Sequence, residues 1–400
     1  MRSAFLALCL SFACADRPPP GPGGNARSEW LSEPDYEIGD AMTGNAAFGL
    51  VGQVRVGPDG ERVFVIEPNR ARVSVWTPDG RLLLDLGRAG EGPGDFMLPY
   101  RVHAGESGFY VRCQSRFTFF SYDGTLLRTV PSPPTLVSYQ GFPIHAGAIL
   151  EDGSFLGDPG IPASLELGLW GDDPIDREPI LRIWESDAGW SQETLAWLNN
   201  RNGTLGAVLE NGFYIVGQPF GAADHYRPDP GAGTVVLVRK SRDYLEPGEA
   251  EFLEIAAGGD TIWRRRLSFD PVPLTRPMLD EAIGEDPEIL DRSSSPEDRR
   301  GRSARELIED ALHAPEYLPA VDYFLLASSG RHIWLKSHER VDTLRVWYSI
   351  DRKDNESPPR RVLLPESIIF WDMTDTHVWG VRRDELDINY VVGRRLVPRS

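Results

Sequence analysis

Two similar strand–turn–strand units flank a glycine-rich segment, Gly87 to Pro99 (GRAGEGPGDFMLP), and this repeat constrains the fold more than any other feature. Each unit contains a hairpin with an Asp-Gly turn, at Asp79-Gly80 and at Asp123-Gly124. The two aspartates are 44 residues apart. A period of about 40–45 residues with four short strands inside it is typical of one blade of a β-propeller.

Similar strand patterns continue along the chain and predict an all-β fold, a six-bladed β-propeller over residues 34–400. The 40 glycines and 33 prolines supply the many tight turns that short strands require. In the third blade, we assign residues 179–186 to the outermost strand and residues 190–200 to a loop or short helix. The strands expected in the fourth blade are residues 206–217, 234–241, 249–256 and 260–267.

The last unit has only three predicted strands, which leaves one place in the ring to fill. Tyr36 to Ile38 forms an isolated strand candidate near the start of the propeller, and we expect it to close the ring as the missing fourth strand. Apolar faces in such an array are buried between blades. Trp76, Trp334 and Trp379 are therefore expected between sheets.

Strand alternation is lost between Pro271 and Pro315, which predicts a helical insertion between the fourth and fifth blades. Ser303 to His313 has helical spacing, with Leu307 and Ile308 on one face. Asp286 to Arg302 is polar and rich in serine and charge, and we expect it to be mobile.

Residues 1–14 have the features of an export signal, since the apolar run Ala4 to Ala13 follows Arg2 and is too short to span a bilayer. Cys14 is a candidate for lipidation, and cleavage after Ala15 is the alternative. Residues 15–33 begin with a proline- and glycine-rich stretch and are predicted to form a tether. These features predict a protein exported to the periplasm or cell envelope, with membrane contact through a lipid anchor only.

The net charge of −18 repels phosphate backbones and argues against nucleic acid as a partner. Only three cysteines occur, and two of them, Cys9 and Cys14, lie in the N-terminal apolar segment. Cys113 then has no partner, which excludes an internal disulfide framework. We expect it to be a small buried residue and not a nucleophile.

The glycine-rich segment and the Asp-Gly strand pairs, over Val51 to Val130, resemble the NHL-repeat propellers and the bacterial exported six-bladed propeller proteins. In those repeats a G-x-G-x-G-P-G-x-F segment joins the outer strand of one blade to the inner strand of the next. The resemblance implies the fold and export, and many members are lipoproteins. It implies no reaction, because most members have none assigned.

Two histidines, His103 and His145, both precede Ala-Gly on predicted innermost strands of neighbouring blades. Innermost strands line the central channel, so we predict a ligand site there formed by both histidines and Arg101. The alternative is that the histidines make only local hydrogen bonds and that Arg101 is a rim residue.

No metal site can be predicted from the histidine spacing, and no cofactor is predicted. Segment 87–94 lacks the Lys-Ser/Thr ending of a phosphate-binding loop. Some six-bladed propellers are calcium-dependent lactonases, and calcium prefers oxygen ligands. Asp322, Asp372 and Asn45 lie near predicted blade starts, but no motif selects them as ligands.

Two hypotheses of function remain. The first is an exported, monomeric, non-catalytic binding scaffold for a protein, peptide or glycan, with the insertion as its most distinctive surface. The second is a metal-dependent hydrolase or lyase of the lactonase kind, with calcium and its active site at the central channel.

Overall fold

β-Strands dominate the structure, a computed structural model that describes residues 29–39, 47–134, 137–139, 142–160, 177–199, 204–210, 212–240, 245–284 and 286–399. Within these ranges, four four-stranded sheets and one eight-stranded sheet are formed, besides two short hairpins. First strands of different sheets contact one another. The fold is therefore a β-propeller, as the repeat predicts.

The four-stranded sheets are antiparallel, and each follows the order of the chain. The first contains β2 (Gln53–Val56), β3 (Val63–Glu67), β4 (Arg72–Trp76) and β5 (Leu82–Leu86), with a 3-10 turn at Pro68–Arg70. The second contains β6 (Arg101–Ala104), β7 (Gly108–Arg112), β8 (Arg116–Ser121) and β9 (Leu126–Pro131). After the hairpin of β10 (Ser138–Tyr139) and β11 (Phe142–Pro143), the third contains β12 (His145–Ile149), β13 (Phe155–Asp158), β14 (Arg177–Ser186) and β15 (Gly189–Asn199). After the hairpin of β16 (Thr204–Leu209) and β17 (Gly212–Gly217), the fourth contains β18 (His225–Asp229), β19 (Thr234–Arg239), β20 (Glu249–Ala256) and β21 (Thr261–Ser268).

The eight-stranded sheet brings the two ends of the chain together. It contains β22 (Tyr323–Leu326), β23 (His332–Val341), β24 (Leu344–Asp351), β25 (Arg360–Pro365), β26 (Ile368–Met373), β27 (His377–Arg383), β28 (Asn389–Pro398) and the N-terminal strand β1 (Glu29–Ile38). Strand β1 lies antiparallel to β28 and is the fourth strand that the last unit lacks. Its first residues also pair in parallel with β25, which joins the two halves of this sheet. Residues 29–33, expected in the tether, therefore belong to a strand.

The Asp-Gly turns have the local geometry that their sequence predicts. Gly80 and Gly124 adopt φ of 92° and 86°, in the left-handed region that favours glycine. In each hairpin the strand register shifts by one residue next to the turn, at Val75/Trp76 and at Phe119/Phe120. A type I turn followed by a left-handed residue produces this bulge and sets the twist of the outer strand pair.

The glycine-rich segment joins the first two sheets through one buried aromatic ring. Phe96 is fully buried in the apolar cluster between these sheets. Gly87 has φ of 89°, and a Cβ added there would lie 2.1 Å from the Phe96 ring. The Arg116 guanidinium donates to the carbonyls of Glu91 (2.7 Å) and Asp95 (2.8 Å), which holds the segment closed. The segment is thus a joint between sheets.

The three tryptophans expected between sheets are all buried. Trp76 and Trp379 lie in one apolar cluster that spans the first sheet and the β27–β28 end of the eight-stranded sheet. Trp334 lies in another cluster, which connects the two halves of the eight-stranded sheet.

Helices occupy residues that follow the fourth sheet along the chain. These are α1 (Arg276–Ile283), α2 (Asp286–Ser293) and α3 (Ala304–Ala311). A capping box at Ser303 and Glu306 begins α3. Buried Ile283, Leu290 and Ile308 pack against the β16–β17 hairpin and form a small separate core. Among the described helices, none is long and apolar enough to cross a membrane.

Four predictions of local structure were wrong. Residues 179–186 lie in β14, which is the third strand of the third sheet and not its outermost strand. Residues 206–217 belong to the separate β16–β17 hairpin, and the first strand of the fourth sheet is β18. Residues 190–199 lie in β15, the outermost strand of the third sheet, because their alternating side chains suit a half-exposed strand better than a helix. Part of the segment expected to be mobile forms α2, since Leu290 gives it an apolar contact.

Candidate functional site

A narrow cavity lies along the axis of the propeller, lined by the first strands of the sheets. Its volume is about 100 Å³, and we call it the axial cavity. The polar and aromatic residues that line it are Gln53, Arg55, Arg101, His103, Tyr110, Arg227, Tyr323 and Trp371. Side chains alternate between the two faces of a strand, so residues of the first strands that do not enter the core face the axial cavity. In β6, for example, Val102 and Ala104 enter the apolar core, so Arg101 and His103 face the other way.

Two of the three predicted site residues come together here. Arg101 and His103 both line the axial cavity. His145 begins β12, a first strand as predicted, but its side chain is exposed and does not line this cavity. The ligand-binding roles of the three residues remain predictions.

His103 is held as a neutral imidazole. Burial and, to a smaller extent, the nearby charge of Arg55 lower its pKa to about 4, although Asp229 acts in the opposite sense. Its ring centroid lies 5.3 Å from that of Tyr110. A neutral imidazole offers one donor and one acceptor, which suits hydrogen bonding to a ligand better than charge pairing.

Arg227 and Tyr110 are site residues that the sequence analysis missed. Arg227 lies on β18, where His225, Arg227 and Asp229 alternate with other residues. A strand whose polar residues face the axis lacks the apolar alternation on which strand prediction depends. Polar alternation beside a proline, as in HYRPD, is the signal that could have identified it.

A wider cavity opens at one end of the axis, and we call it the mouth cavity. Its volume is about 1030 Å³. The turns that line it follow the first strands of several sheets and comprise residues 105–108, 150–151, 230–232 and 328–331, with residues 352–353 beside them. His103, Tyr110 and Pro230 line both cavities, so the two are contiguous.

The wall of the mouth cavity combines aromatic rings with partly neutralised charges. Arg352 donates to Asp229 (2.7 Å) and also pairs with Glu254, so both buried carboxylates are compensated. The Arg128 guanidinium lies 4.3 Å from the centroid of the Phe119 ring. This mixture can contact both apolar and polar parts of a ligand.

The carboxylates weighed as calcium ligands are engaged within the protein. Asp372 is fully buried and accepts hydrogen bonds from the amides of Val56 (2.7 Å), Met373 (2.8 Å) and Ser328 (3.1 Å). Asp322 pairs with Lys336 at 2.7 Å, and Asn45 lies outside the described residues. Within the described ranges, no group of three or more His, Cys, Asp or Glu side chains could hold a metal ion.

Cys113 is a buried member of the core between the first two sheets. Burial raises the pKa of its thiol, so the nucleophilic thiolate is disfavoured. Cys14 lies outside the described residues, and its lipidation remains a prediction.

Comparison with known proteins yields similarity of fold only. No protein-family model matches the chain, and no curated protein is significantly similar to it. A Bacteroides fragilis protein described as exported is 11% identical with a TM-score of 0.43, over 93% of this chain and 99% of that one. A β-propeller domain from Myceliophteria thermophila is 9% identical with a TM-score of 0.40, over 91% and 99%. A streptogramin B lyase is 10% identical with a TM-score of 0.39, over 92% and 98%.

Proposed function

We propose that the propeller has six blades of four strands. The eight-stranded sheet consists of two antiparallel runs, β22–β25 and β26–β28 with β1, which are joined by the short parallel pairing of β1 with β25. Both of its end strands, β22 and β26, contribute residues to the axial cavity beside β2, β6, β12 and β18. In this arrangement α1–α3 form an insertion between the fourth and fifth blades.

We further propose that the protein is exported and acts as a monomer held at a membrane through lipidated Cys14. The short apolar run and the tether support this proposal. The strand β1 begins at Glu29, and residues 15–28 would separate the propeller from the membrane surface.

We propose that the propeller is a non-catalytic binding scaffold and that its ligand lies in the mouth cavity. The observation that carries this proposal is the cavity of about 1030 Å³ that turns of several sheets build over the axis. Concave sites of this size are the usual location of ligands. Turns on a rigid scaffold are a common location of binding residues.

The wall chemistry favours a segment of a protein, a peptide or a glycan. The part-buried ring of Phe119 offers apolar area for side chains or sugar rings. On the same wall, exposed Arg128 can donate hydrogen bonds and exposed Glu106 can accept them. Mixed aromatic and polar walls of this kind are typical of surfaces that bind polymers of amino acids or sugars.

A cavity-filling substitution tests this location. In Gly231→Trp an added Cβ would meet no atom closer than 3.9 Å, so the indole can occupy the mouth beside His103 without backbone strain. Gly258→Trp is the matched control, since Gly258 is an exposed turn glycine outside the cavity lining. The probes are a phage-displayed random peptide library and an immobilised glycan array, screened with the wild-type protein.

We expect peptides or glycans selected by the wild-type protein to bind Gly231→Trp at least about tenfold more weakly, a loss of about 1.4 kcal/mol. Gly258→Trp should bind them as the wild-type protein does. Equal binding by both variants would place the ligand elsewhere and contradict the proposal. A screen without any selective peptide or glycan would contradict the proposed ligand class.

A further inference from the structure

Arg101 and Arg227 meet at the axial cavity, and a third arginine, Arg112, lies beside Arg101. Arg101 and Arg227 line it from different sheets. Arg112 is the partner of Arg101 in the β6–β7 ladder, so the two side chains lie side by side on one face. Like charges directly opposite each other in a sheet destabilise it. A group of negative charge nearby would offset the repulsion between these arginines.

The protein itself supplies little compensation. Within the described residues, the Arg101 side chain has no hydrogen bond or ion pair. The Arg112 guanidinium lies 4.4 Å from the centroid of the Tyr100 ring, and its buried Nε has no partner. Arg227 donates to the carbonyl of Tyr226 (2.9 Å) and lies 5.0 Å from the centroid of the Tyr323 ring. These contacts orient the guanidinium groups without neutralising them.

Within the described residues, no ion pair neutralises the cluster. The charge of Asp158 acts on Arg112 over a distance longer than an ion pair, and Asp158 already accepts a hydrogen bond from the Tyr226 hydroxyl. Among these residues, none of the three guanidinium groups is therefore paired with a carboxylate. By contrast, Arg55 on the same cavity has Asp372 at 3.4 Å.

The cluster remains charged despite this environment. Burial lowers the pKa of Arg101, and the charges of Arg227 and Arg112 lower it further. Guanidinium groups nevertheless stay protonated in proteins. An anion in the cavity would remove the repulsion and gain hydrogen bonds from planar donors that match the oxygens of a carboxylate or tetrahedral oxyanion.

We propose that Arg101 and Arg227, with Arg112 beside Arg101, form a binding site at the axial cavity for a small oxyanion, either a carboxylate group or a tetrahedral ion. A volume of about 100 Å³ accommodates a group of this size. The net charge of −18 disfavours nonspecific anion binding elsewhere on the surface. The site lies beneath the mouth cavity and does not depend on the proposed peptide or glycan ligand.

Titration of the wild-type protein with sodium phosphate, sodium sulfate and sodium succinate tests this site by calorimetry and by thermal unfolding. Sodium chloride at the same ionic strength is the reference. We expect saturable binding of at least one of the three anions and a melting temperature that rises with its concentration. Preference for succinate indicates a carboxylate ligand, and preference for phosphate or sulfate indicates a tetrahedral one.

Arg101→Gln distinguishes a binding role from a structural one. We expect this variant to bind the preferred anion at least about tenfold more weakly. In anion-free buffer it should melt about 1–3 °C above the wild-type protein, because a source of repulsion is gone. Arg264→Gln, on the outermost strand of the fourth sheet, is the matched control and should bind the anion normally.

Three results would overturn the proposal. The first is a wild-type response to the three anions that does not exceed the response to chloride. The second is unchanged anion binding by Arg101→Gln. The third is a lower melting temperature of Arg101→Gln in anion-free buffer, which would assign Arg101 to the stability of the fold. Should Arg101→Gln not fold, Arg227→Gln replaces it, with the same expected loss of binding.

Discussion

Replacement of Asp372 by alanine is expected to destabilise the folded protein by about 3–5 kcal/mol, a large effect for a single substitution. The side chain lies on β26 and is fully buried. Its carboxylate accepts from the Val56 amide on β2 (2.7 Å) and from the amide and hydroxyl of Ser328 in the turn after β22. One carboxylate therefore ties together three first strands where the ends of the chain meet.

Removal of this carboxylate leaves the amides of Val56, Met373 and Ser328 without this acceptor, and the hydrogen bonds of the first two are buried. Each unsatisfied buried donor costs about 1–3 kcal/mol. Arg55 also loses the carboxylate at 3.4 Å and keeps only the carbonyl of Leu326 (3.0 Å) beside the axial cavity. Asp372→Asn keeps one acceptor oxygen and should lose less, about 1–3 kcal/mol.

Urea unfolding monitored by tryptophan fluorescence measures these losses. Asp79→Ala is the control, since Asp79 is exposed in the turn between β4 and β5 and should change stability by no more than about 0.5 kcal/mol. An Asp372→Ala protein as stable as Asp79→Ala would show that the ring closure does not depend on this carboxylate.

Acidification from pH 7.5 to pH 5 is expected to destabilise the protein mainly through three part-buried histidines, His103, His225 and His338. Burial also lowers the pKa of His332, which acts in the same direction. The pKa is lowered to about 4 for His103, to about 3 for His225 and to about 4 for His338, and burial is the main cause in each case. Lys240 and Arg227 lower the pKa of His225 further, and Lys240, Arg345 and Lys336 lower that of His338. Asp229 acts on His103, and Asp322 on the other two, in the opposite sense.

The direction of this change in stability follows from proton binding. Because the unfolded chain binds protons at these histidines near pH 6.5 and the folded protein does not, lowering the pH below 6.5 favours unfolding. At about 1.4 kcal/mol per pKa unit, each histidine contributes at most about 2 kcal/mol at pH 5, and we expect about 3–6 kcal/mol for the three. Carboxylates with lowered pKa, such as Asp322, lose their contribution only at still lower pH.

Urea unfolding at pH 7.5 and pH 5 checks this prediction. A variant with His103, His225 and His338 replaced by glutamine should lose most of the pH dependence above pH 4.5. His145→Gln is the control, since His145 is exposed, and it should keep the wild-type profile. An unchanged profile in the triple variant would assign the pH dependence to other groups.

The repeat in the sequence sufficed to predict the propeller and the N-terminal strand that pairs with β28. Both depend on local signals, namely Asp-Gly turns and apolar alternation, that each sheet repeats. The strand β18 was missed because its alternating residues are polar and face the axial cavity. The helix α2 was missed because one apolar residue, Leu290, suffices to pack it.

The candidate site was only partly predictable. Position on a first strand identified Arg101 and His103, since such strands line the axis whatever their sequence. The sequence could not show that Arg112 lies beside Arg101, because strand register determines this pairing. Nor could it show that Asp372 contributes to ring closure, since its partners are up to 317 residues away along the chain.

The central claim, that ligands bind in the mouth cavity, is tested most directly by hydrogen–deuterium exchange with a peptide or glycan selected by the wild-type protein. We predict slower exchange on binding in the turns at residues 105–108, 230–232 and 328–331, which line the cavity. Exchange in the helices at residues 276–311 should not change. Protection confined to those helices, with unchanged exchange in the three turns, would contradict the account.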